Sequence, residues 1–512
     1  MEYIIVQAGG KGTRLEYLTQ NKPKALVPVD NLPMLFHLFR KYPDKRFIII
    51  ADYKRNVLRE YLSVFADVKY QVVDAEGTGT CAGVKQALDL IPPEEPFMLV
   101  WSDLILPSAF ELPEEYQEGK VPRNDYVGLS QTFPCRWKYQ DGKFQEEPSE
   151  TYGVAGFFLF TDKGKMEQVP ESGELVRWMQ GEGKVYKEIG LAGTREFGVL
   201  DEYEKLEKIK CRPFNRITVD GDILTKAPID EQGRKLAVYE QAWYEKARNL
   251  HIPVLPKIYD VSPLGMEYIK GKNIYAGEYS QTEKEHILQM LVNALKQLHA
   301  VEKIPADTFS LKEAYYNKTM KRLAEIEDLV PFAREKEIVV NGKRCRNVYC
   351  HKRELEKRLE KLTCTSFAFI HGDCTFSNLM IRENGDPVLI DPRGYFGYTQ
   401  LFGDERYDWA KLYYSVAGNY DKFNLGKFQL EIGGGFGAEK SKLSYGEVAL
   451  QIESNGWEDM EQRFFELTGA DSYEIKLLHA VIWLSLTTYA WHDYDSICGA
   501  FYNGLYYLED VL

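Results

Sequence analysis

The 512-residue chain has no Cys-x-x-Cys pair, no excess of basic charge and no long apolar run, and each absence removes a class of protein. Its eight cysteines stand apart at 81, 135, 211, 345, 350, 364, 374 and 498, which fits reduced, mostly buried thiols rather than a disulfide framework. Cys345, Cys350 and His351 are near neighbours, but a lone trio is a weak zinc signature, and no zinc is expected. Lys and Arg number 64 against 77 Asp and Glu, a formal net charge of −13, so the basic footprint of a nucleic-acid binder is missing. The opening MEYIIVQAGG has neither a basic region nor a cleavable apolar core, and no later stretch approaches the length of a membrane span. The expectation is a soluble, cytoplasmic protein without nucleic-acid partners or membrane insertion; homo-oligomerisation stays open.

What is present reads as two halves. Hydrophobic residues make up 44% and charged residues 28%, ordinary globular values, and the length suggests two to four domains. From residue 1 to about 210, short β-branched runs (Tyr3–Val6, Arg46–Ala51, Tyr70–Val73, Phe97–Val100) alternate with stretches of helical spacing (Leu32–Tyr42, Arg55–Phe65, Thr80–Ile91). That alternation predicts a mostly parallel, Rossmann-like α/β sheet with helices on both faces, and ligands beyond the carboxyl ends of its strands. The charged stretch Asp201–Pro213 reads as a helix ending at the proline, which places the domain boundary between 212 and 213. The second half opens on a hairpin signal, Ile217–Val219, Asp220-Gly221 and Ile223–Lys226. A long helix over about 283–301, a hairpin-like segment around 368–391 and further helices follow. This predicts a two-lobed α+β domain over 213–512, with a small lobe over about 213–275 and a helical large lobe over about 276–512. Gly433-Gly434-Gly435-Phe436-Gly437 reads as a mobile loop.

In the first half, strand 3–6 runs straight into Ala8-Gly9-Gly10-Lys11-Gly12-Thr13-Arg14. A glycine loop after a buried strand lets backbone N–H groups approach phosphate oxygens without obstruction. Arg14, Lys22 and Lys24 add three cations within eleven residues, enough for a triphosphate and a second anionic substrate. This combination of GGKGTRL and KALVPV resembles the nucleotidylyltransferases that join a nucleoside triphosphate to a sugar 1-phosphate or to phosphocholine, over roughly residues 1–210. The resemblance implies that Ala8, Gly9, Gly10, Gly12 and Thr13 cradle the nucleotide, that Arg14 grips the departing pyrophosphate, and that Lys24 contacts the α-phosphate and the incoming phosphate. It assigns base recognition to the turn Glu76-Gly77-Thr78. Asp103, at a strand end, becomes a Mg²⁺ ligand, and Glu196, before Gly198, stands where the family has an aspartate as second ligand. Tyr152, Gly153 and Glu174 match segments that contact the acceptor. Gln7 stands where the family has a small or apolar residue and receives no role. Lys22 reads equally well as surface charge.

In the second half, His371-Gly372-Asp373-Cys374-Thr375-Phe376-Ser377-Asn378 is followed by Ile390-Asp391-Pro392-Arg393-Gly394. Phosphoryl transfer to a hydroxyl needs an acid that orients the nucleophile, plus an amide and a carboxylate for Mg²⁺, and this spacing supplies them. With Gly403-Asp404 and Asp408 downstream, the pattern resembles the aminoglycoside phosphotransferase and choline kinase superfamily over about 213–512. The resemblance makes Asp373 the catalytic base, Asn378 and Asp391 the Mg²⁺ ligands, and His371 and Asp408 braces of the catalytic loop. Lys226 becomes the phosphate-binding lysine, with Glu240 as its partner and Glu245 as rival. Met266, Glu267 and Ile269 fall in the hinge that receives adenine. The form Asp-Pro-Arg-Gly departs from many kinases of the superfamily and bears on the acceptor rather than the chemistry.

Together the two patterns predict a bifunctional enzyme. An ATP-dependent kinase phosphorylates a small hydroxyl acceptor, first of all a sugar at its anomeric position. The other half then transfers a nucleotidyl group from CTP, UTP, GTP or dTTP to that phosphate, releasing pyrophosphate, with Mg²⁺ at both sites. Such products feed surface-polysaccharide or cell-wall synthesis, a destination that the resemblance alone implies. Choline or another amino alcohol, leading to a phosphocholine cytidylyltransferase, is the alternative substrate reading, and a nucleotide-sensing scaffold without turnover is the reading from another class.

Overall fold

A computed structural model describes residues 1–206, 215–229, 231–434 and 441–512. The expected boundary at 212/213, the end of the Asp201–Pro213 stretch and Gly435-Phe436-Gly437 lie outside the described residues. The chain divides into two compact units. One comprises Met1–Ile209, Glu431–Lys442 and Trp491–Asp495; the other comprises Lys210–Leu430, Leu443–Ala490 and Ser496–Leu512. Among the described residues, no helix is long and apolar enough to cross a membrane, and the seven cysteines are all free.

The first unit is built on a nine-stranded sheet. β1 (Tyr3–Gln7) lies between β2 (Arg46–Ala51) and β4 (Phe97–Trp101), parallel to both, and β2 pairs in parallel with β3 (Lys69–Asp74). Ile4, Ile5, Val6 and Met98–Val100 are wholly buried, as continuous apolar strands covered on both faces should be. β5 (Tyr126–Ser130) and β6 (Gly153–Phe160) extend the sheet, with β6 antiparallel to β4. Helices α1 (Met34–Lys41) and α2 (Arg55–Phe65) follow the expected spacing. The helix expected over Thr80–Ile91 is shorter: α3 spans Val84–Leu88, because the residue before it, Gly83, takes a left-handed φ of 76° and the glycine-rich turn holds the chain out of helical geometry up to that point. α4 covers Leu175–Glu182.

Lys22 proves not to be surface charge. It is 1% exposed, with its ammonium 3.0 Å from Asp493 and hydrogen-bonded to Asp495, and the neighbouring Asn21 amide donates to Asp495 at 3.0 Å. Burial opposes the charge on Lys22, but the two carboxylates outweigh it and hold its pKa above the ordinary lysine value.

In the second unit, β7 (Asn215–Asp220) and β8 (Ile223–Pro228) form the expected hairpin. Helix α5 (Glu231–Ala247) follows, then β9 (Ile258–Val261) and β10 (Leu264–Glu267), giving an antiparallel sheet in the order β7-β8-β10-β9. The large lobe starts with α6 (Gln281–Val301), whose Ser280 and Glu283 make reciprocal capping hydrogen bonds. α7 (Lys318–Ile326) follows. β11 (Glu337–Val340) pairs antiparallel with β12 (Lys343–Arg346) and parallel with a distant strand, Glu447–Ile452, a sheet that the helical reading of this lobe did not anticipate. β13 (Ser366–Phe369) leads into the His371–Asn378 loop, and the hairpin of β14 (Leu379–Arg382) and β15 (Pro387–Leu389) delivers Asp391. α8 (Glu405–Val416) and α9 (Ser472–Leu486) complete the lobe around the loop.

Removing one partner from a buried ion pair strands the other, which costs about 3–5 kcal/mol. Asp495→Leu in the full chain should therefore lower the urea-unfolding free energy of the first unit by that order. The double variant Lys22→Met/Asp495→Leu should lose less than the summed losses of Lys22→Met and Asp495→Leu measured singly, and simple additivity of the two would show that the pair does not interact.

Candidate active sites

In the first unit, the loop after β1 is shaped by the strands beneath it. The Ala8 N–H donates to the Ile50 carbonyl at 3.0 Å, and the Gly9 carbonyl accepts from Tyr53 N–H at 3.2 Å. Gly12 is left-handed (φ 61°), and a Cβ there would lie 3.0 Å from the Thr19 side chain and 3.1 Å from that of Lys24. Nothing lies within 4 Å of the Cβ position at Gly10, so that side of the loop stands open. Thr13 and Arg14, which follow, are exposed.

Lys24, Asp103 and Glu196 come together although they are far apart in sequence. Lys24 Nζ is bonded to Asp103 Oδ2 and stands 3.5 Å from Glu196 Oε1. Asp103 follows β4, and Glu196 is on a short strand, Arg195–Glu196, paired with Leu104–Ile105. Burial, then the nearby Asp103 charge, raises the Glu196 carboxyl pKa, while Lys24 and Arg14 pull it down. Arg14 reaches the same place, since a Cβ on Gly198 would lie 3.1 Å from its Nη2 and 2.1 Å from Glu196 Oε1. Asp103 Oδ1 is buried without a hydrogen-bond partner among the described residues. Two adjacent carboxylates, one with an orphaned oxygen, fit a Mg²⁺ ion that takes its remaining ligands from water and substrate phosphate. No cluster of three or more His, Cys, Asp or Glu that could hold a metal occurs among the described residues.

The turn Glu76–Thr80 is fastened to 171–175. Thr78 N–H donates to Ser172 Oγ at 3.0 Å, Gly173 N–H donates to the Thr78 carbonyl at 2.8 Å, and Leu175 N–H donates to Thr80 Oγ1 at 2.8 Å. Gly77 is left-handed (φ 97°), and a Cβ there would lie 2.1 Å from the Glu171 carbonyl, so only glycine fits. Gln7, which received no role from its sequence position, donates to the carbonyls of Thr80 at 2.6 Å and Ala82 at 3.2 Å. It ties the end of β1 to this turn. An amide among apolar strand residues was the available signal. Glu174 is occupied locally: it accepts from Trp137 Nε1 at 2.5 Å and lies 3.5 Å from both Arg136 and Arg177. Tyr152 is exposed at the start of β6, and its carbonyl accepts from Tyr139 N–H at 2.9 Å, while Gly153 is buried.

In the second unit, Lys226 on β8 has its ammonium 2.8 Å from Glu240 on α5 and 2.9 Å from Asp391. Burial opposes that charge, yet Asp391 and Glu240 raise its pKa. Glu245, the rival partner, pairs with Arg248 at 2.6 Å instead. Asp391 adopts a left-handed φ of 57°, uncommon for a side-chain-bearing residue, with its N–H donating to the Tyr244 hydroxyl at 3.3 Å. Asn378 Nδ2 donates to the Asp373 carbonyl at 2.8 Å and to its carboxylate at 3.0 Å, and Lys411 Nζ stands 3.1 Å from the other carboxylate oxygen of Asp373. The Asn378 amide oxygen and the Asp391 carboxylate are hard oxygen donors of the kind Mg²⁺ takes.

The loop is braced from below by Asp408, which is wholly buried. It accepts from the backbone N–H of His371 (2.9 Å) and Gly372 (2.6 Å) and from His299 Nε2 (3.0 Å). Burial alone would raise its pKa, but these bonds and His299 hold it below the usual carboxylate value. Nδ1 of the buried His371 accepts from Asp373 N–H at 3.3 Å, and burial lowers the imidazole pKa, which keeps the ring neutral. His299 and Lys411 escaped the sequence reading; a histidine inside a long amphipathic helix and a lysine three residues after Asp408 were the only traces. In the hinge segment, the Glu267 carboxylate is taken by Arg382 and its N–H by the Lys257 carbonyl at 2.8 Å, and Tyr268 N–H donates to the Asp222 carbonyl at 2.8 Å. The Glu267 side chain is therefore committed to β14. Met266 and Ile269 are buried.

Comparison with known proteins agrees with this division. The nucleotidyl transferase family model matches residues 3–115, and the phosphotransferase enzyme family model matches residues 216–429. The chain is 30% identical over 109 residues to the bifunctional protein GlmU of Methanocaldococcus jannaschii, covering 21% of this chain and 26% of that protein. It is 27% identical over 186 residues to the UTP–glucose-1-phosphate uridylyltransferase AglF of Haloferax volcanii, covering 31% of this chain and 71% of the relative. The chain thus spans about a quarter of the length of the first relative. The solved inositol-1-phosphate CTP transferase of T. maritima aligns with 19% identity and a TM-score of 0.32, over 40% of this chain and 91% of that one. The chain therefore joins a segment that matches the nucleotidyl transferase family to a later segment that matches the phosphotransferase enzyme family.

Proposed function

We propose that the two domains act in series on one small molecule. The phosphotransferase domain phosphorylates a hydroxyl of the acceptor with ATP, and the nucleotidyltransferase domain joins the resulting phosphate monoester to a nucleotidyl group. The observation that carries this reading is common to both sites: a lysine is held between two carboxylates. Lys24 lies between Asp103 and Glu196, and Lys226 between Glu240 and Asp391. Such a lysine is held in place, and it can turn to a nucleotide phosphate when one arrives.

In the first reaction, the acceptor oxygen forms a bond to the γ-phosphorus of ATP as the bond to the β-phosphate oxygen breaks, and ADP leaves. Asp373 orients the hydroxyl and takes its proton, with its carboxylate positioned by Asn378 and Lys411. Lys226 holds the ATP phosphates. In the second, a monoester oxygen attacks the α-phosphorus of a nucleoside triphosphate and pyrophosphate leaves. The nucleophile is already an anion, so no strong base is needed; Lys24 draws the two anions together and Arg14 meets the charge growing on pyrophosphate. Mg²⁺, when bound by Asp103 and Glu196 or by Asn378 and Asp391, supplies further neutralisation of phosphate charge.

A sugar is the favoured acceptor, giving a nucleotide-activated sugar for surface-polysaccharide or cell-wall synthesis in the cytoplasm. Support comes from the turn Glu76–Thr80, fastened as described above, and from the sugar 1-phosphate named as substrate of the uridylyltransferase relative. The two domains, 1–212 and 213–512 with lobes meeting near 275, are proposed as the catalytic units.

Asp373→Asn should depress ATP-dependent phosphorylation by about two orders of magnitude or more. It should leave conversion of a supplied acceptor phosphate intact. Asp103→Asn should do the reverse, so that monoester accumulates, and mixing the two variants should restore flux from free acceptor to nucleotide product. Loss of both activities in a folded Asp373→Asn protein would break the serial assignment. Separately, ADP release and pyrophosphate release should both stop on chelation of divalent cations and return when Mg²⁺ is restored; either activity persisting in excess chelator would remove the metal from that site.

A further inference from the structure

Beside Asp373 the second unit carries a group of cations that neither reaction, as argued so far, employs. Arg393 follows Asp391 by two residues, and its N–H donates to the His371 carbonyl at 2.9 Å, so its backbone is part of the catalytic framework. Its guanidinium donates to the Tyr407 hydroxyl at 2.9 Å and the Tyr395 hydroxyl at 2.8 Å and, among the described residues, faces no carboxylate within ion-pair distance. The ammonium of Lys318, at the start of α7, has no hydrogen bond and no ion pair among the described residues and stands 5.8 Å from the Tyr407 ring. Arg322, one helical turn on, donates to the carbonyl and hydroxyl of Ser485 and lies 6.0 Å from the Tyr489 ring. Lys411 completes the group, paired with Asp373.

Among the described residues, Asp373 and Glu313 are the carboxylates set against these four cations. Asp373 is committed to Lys411 and Asn378, and Glu313 accepts from the Tyr398 hydroxyl at 3.0 Å and from Asn317 at 3.2 Å. The excess charge bears on Lys318 itself: burial, then Arg393, Arg322 and Lys411, lower its pKa well below the ordinary lysine value, against a weaker pull from Glu313. A small cleft of about 110 Å³ opens here, lined by Glu313, Lys318, Arg393, Tyr395 and Tyr407 among others.

We propose that this cleft is the acceptor site of the phosphotransferase domain, and that its acceptor carries an anionic group, a carboxylate or a phosphate, in addition to the hydroxyl that is phosphorylated, with Lys318 and Arg393, which line the cleft, holding that group. The inference rests on the kinase reading above and narrows its substrate. Arg393 offers a planar fork suited to either oxyanion. A bound anion cancels the mutual repulsion of the cations and lets Lys318 recover its charge, whereas an empty or neutral-filled cleft leaves that repulsion standing. A quaternary ammonium acceptor would add a further positive charge to the group, so the amino-alcohol alternative is disfavoured on electrostatic grounds despite the aromatic rings nearby.

The test is ADP release by the full chain with matched acceptors: galactose against galacturonate, glucose against glucose 6-phosphate, and choline. The carboxylate and phosphate arms separate the two sources of negative charge. At least one anionic member should exceed its neutral partner by about tenfold or more in kcat/KM, with choline among the slowest. Lys318→Met should raise KM for that acceptor by a similar factor and leave KM for ATP unchanged, while Lys318→Arg should retain most of the affinity. Neutral or cationic acceptors turned over equally well would overturn the anionic site and leave the kinase reading standing. A rise in the KM of ATP in Lys318→Met would assign the cations to the nucleotide, which also overturns it. No ADP release with any of the five compounds would count against the kinase reading and this inference together.

Discussion

An ammonium held between two carboxylates in a partly buried setting is the interaction on which both sites depend. Each charge alone would be costly to remove from water, and the pair is tolerated because the partners satisfy one another. In the first unit this brings Arg195–Glu196 against Leu104–Ile105, so that Glu196 meets Asp103 and Lys24. In the second it draws helix α5 onto β8 through Glu240 and fixes the end of the β14–β15 hairpin through Asp391. The same contacts that hold each lysine in place therefore also position the structural elements around it.

The surrounding polar groups keep this arrangement rigid. Asp408 has no exposure and three donors, and it stays ionised because hydrogen bonds to the charged form outweigh desolvation. A buried carboxylate with fewer donors would protonate and release the loop. Gln7 has the corresponding task in the first unit, where its amide donates to two carbonyls that would otherwise lie beside apolar strand ends. Neither side chain touches the reacting phosphate in the proposed chemistry, yet both determine where the groups that do so are placed.

Charge also separates the two lysine environments from the cleft proposed for the acceptor. Lys24 and Lys226 are balanced by carboxylates, so that in the proposed chemistry an arriving phosphate exchanges one anion for another. The cations around Arg393 and Lys318 are under-compensated, which favours an incoming anion and disfavours a cation. A chain with a net charge of −13 concentrates positive charge here, at a place where its excess can do chemical work.

The sequence by itself determined the parts whose geometry is local. Strands β1, β2 and β4, the hairpin at 215–228 and the spacing of Asp373, Asn378 and Asp391 follow from apolar runs, glycine positions and short separations, because backbone preference and nearest neighbours decide them. The helix over 80–91 was overestimated because two glycines in the turn, at 79 and 83, are fastened in left-handed conformations by packing that periodicity does not report. Tertiary structure alone decided which charges meet. Lys22 looked like a third phosphate cation but is buried against Asp493 and Asp495, more than 470 residues away. His299, Lys318, Arg322 and Lys411 gained their neighbours only when α6, α7 and α8 closed around the catalytic loop. An isolated charged residue on a helix carries no mark of its partner, since Coulombic and desolvation energies depend on distances that exist only after long-range contacts have formed.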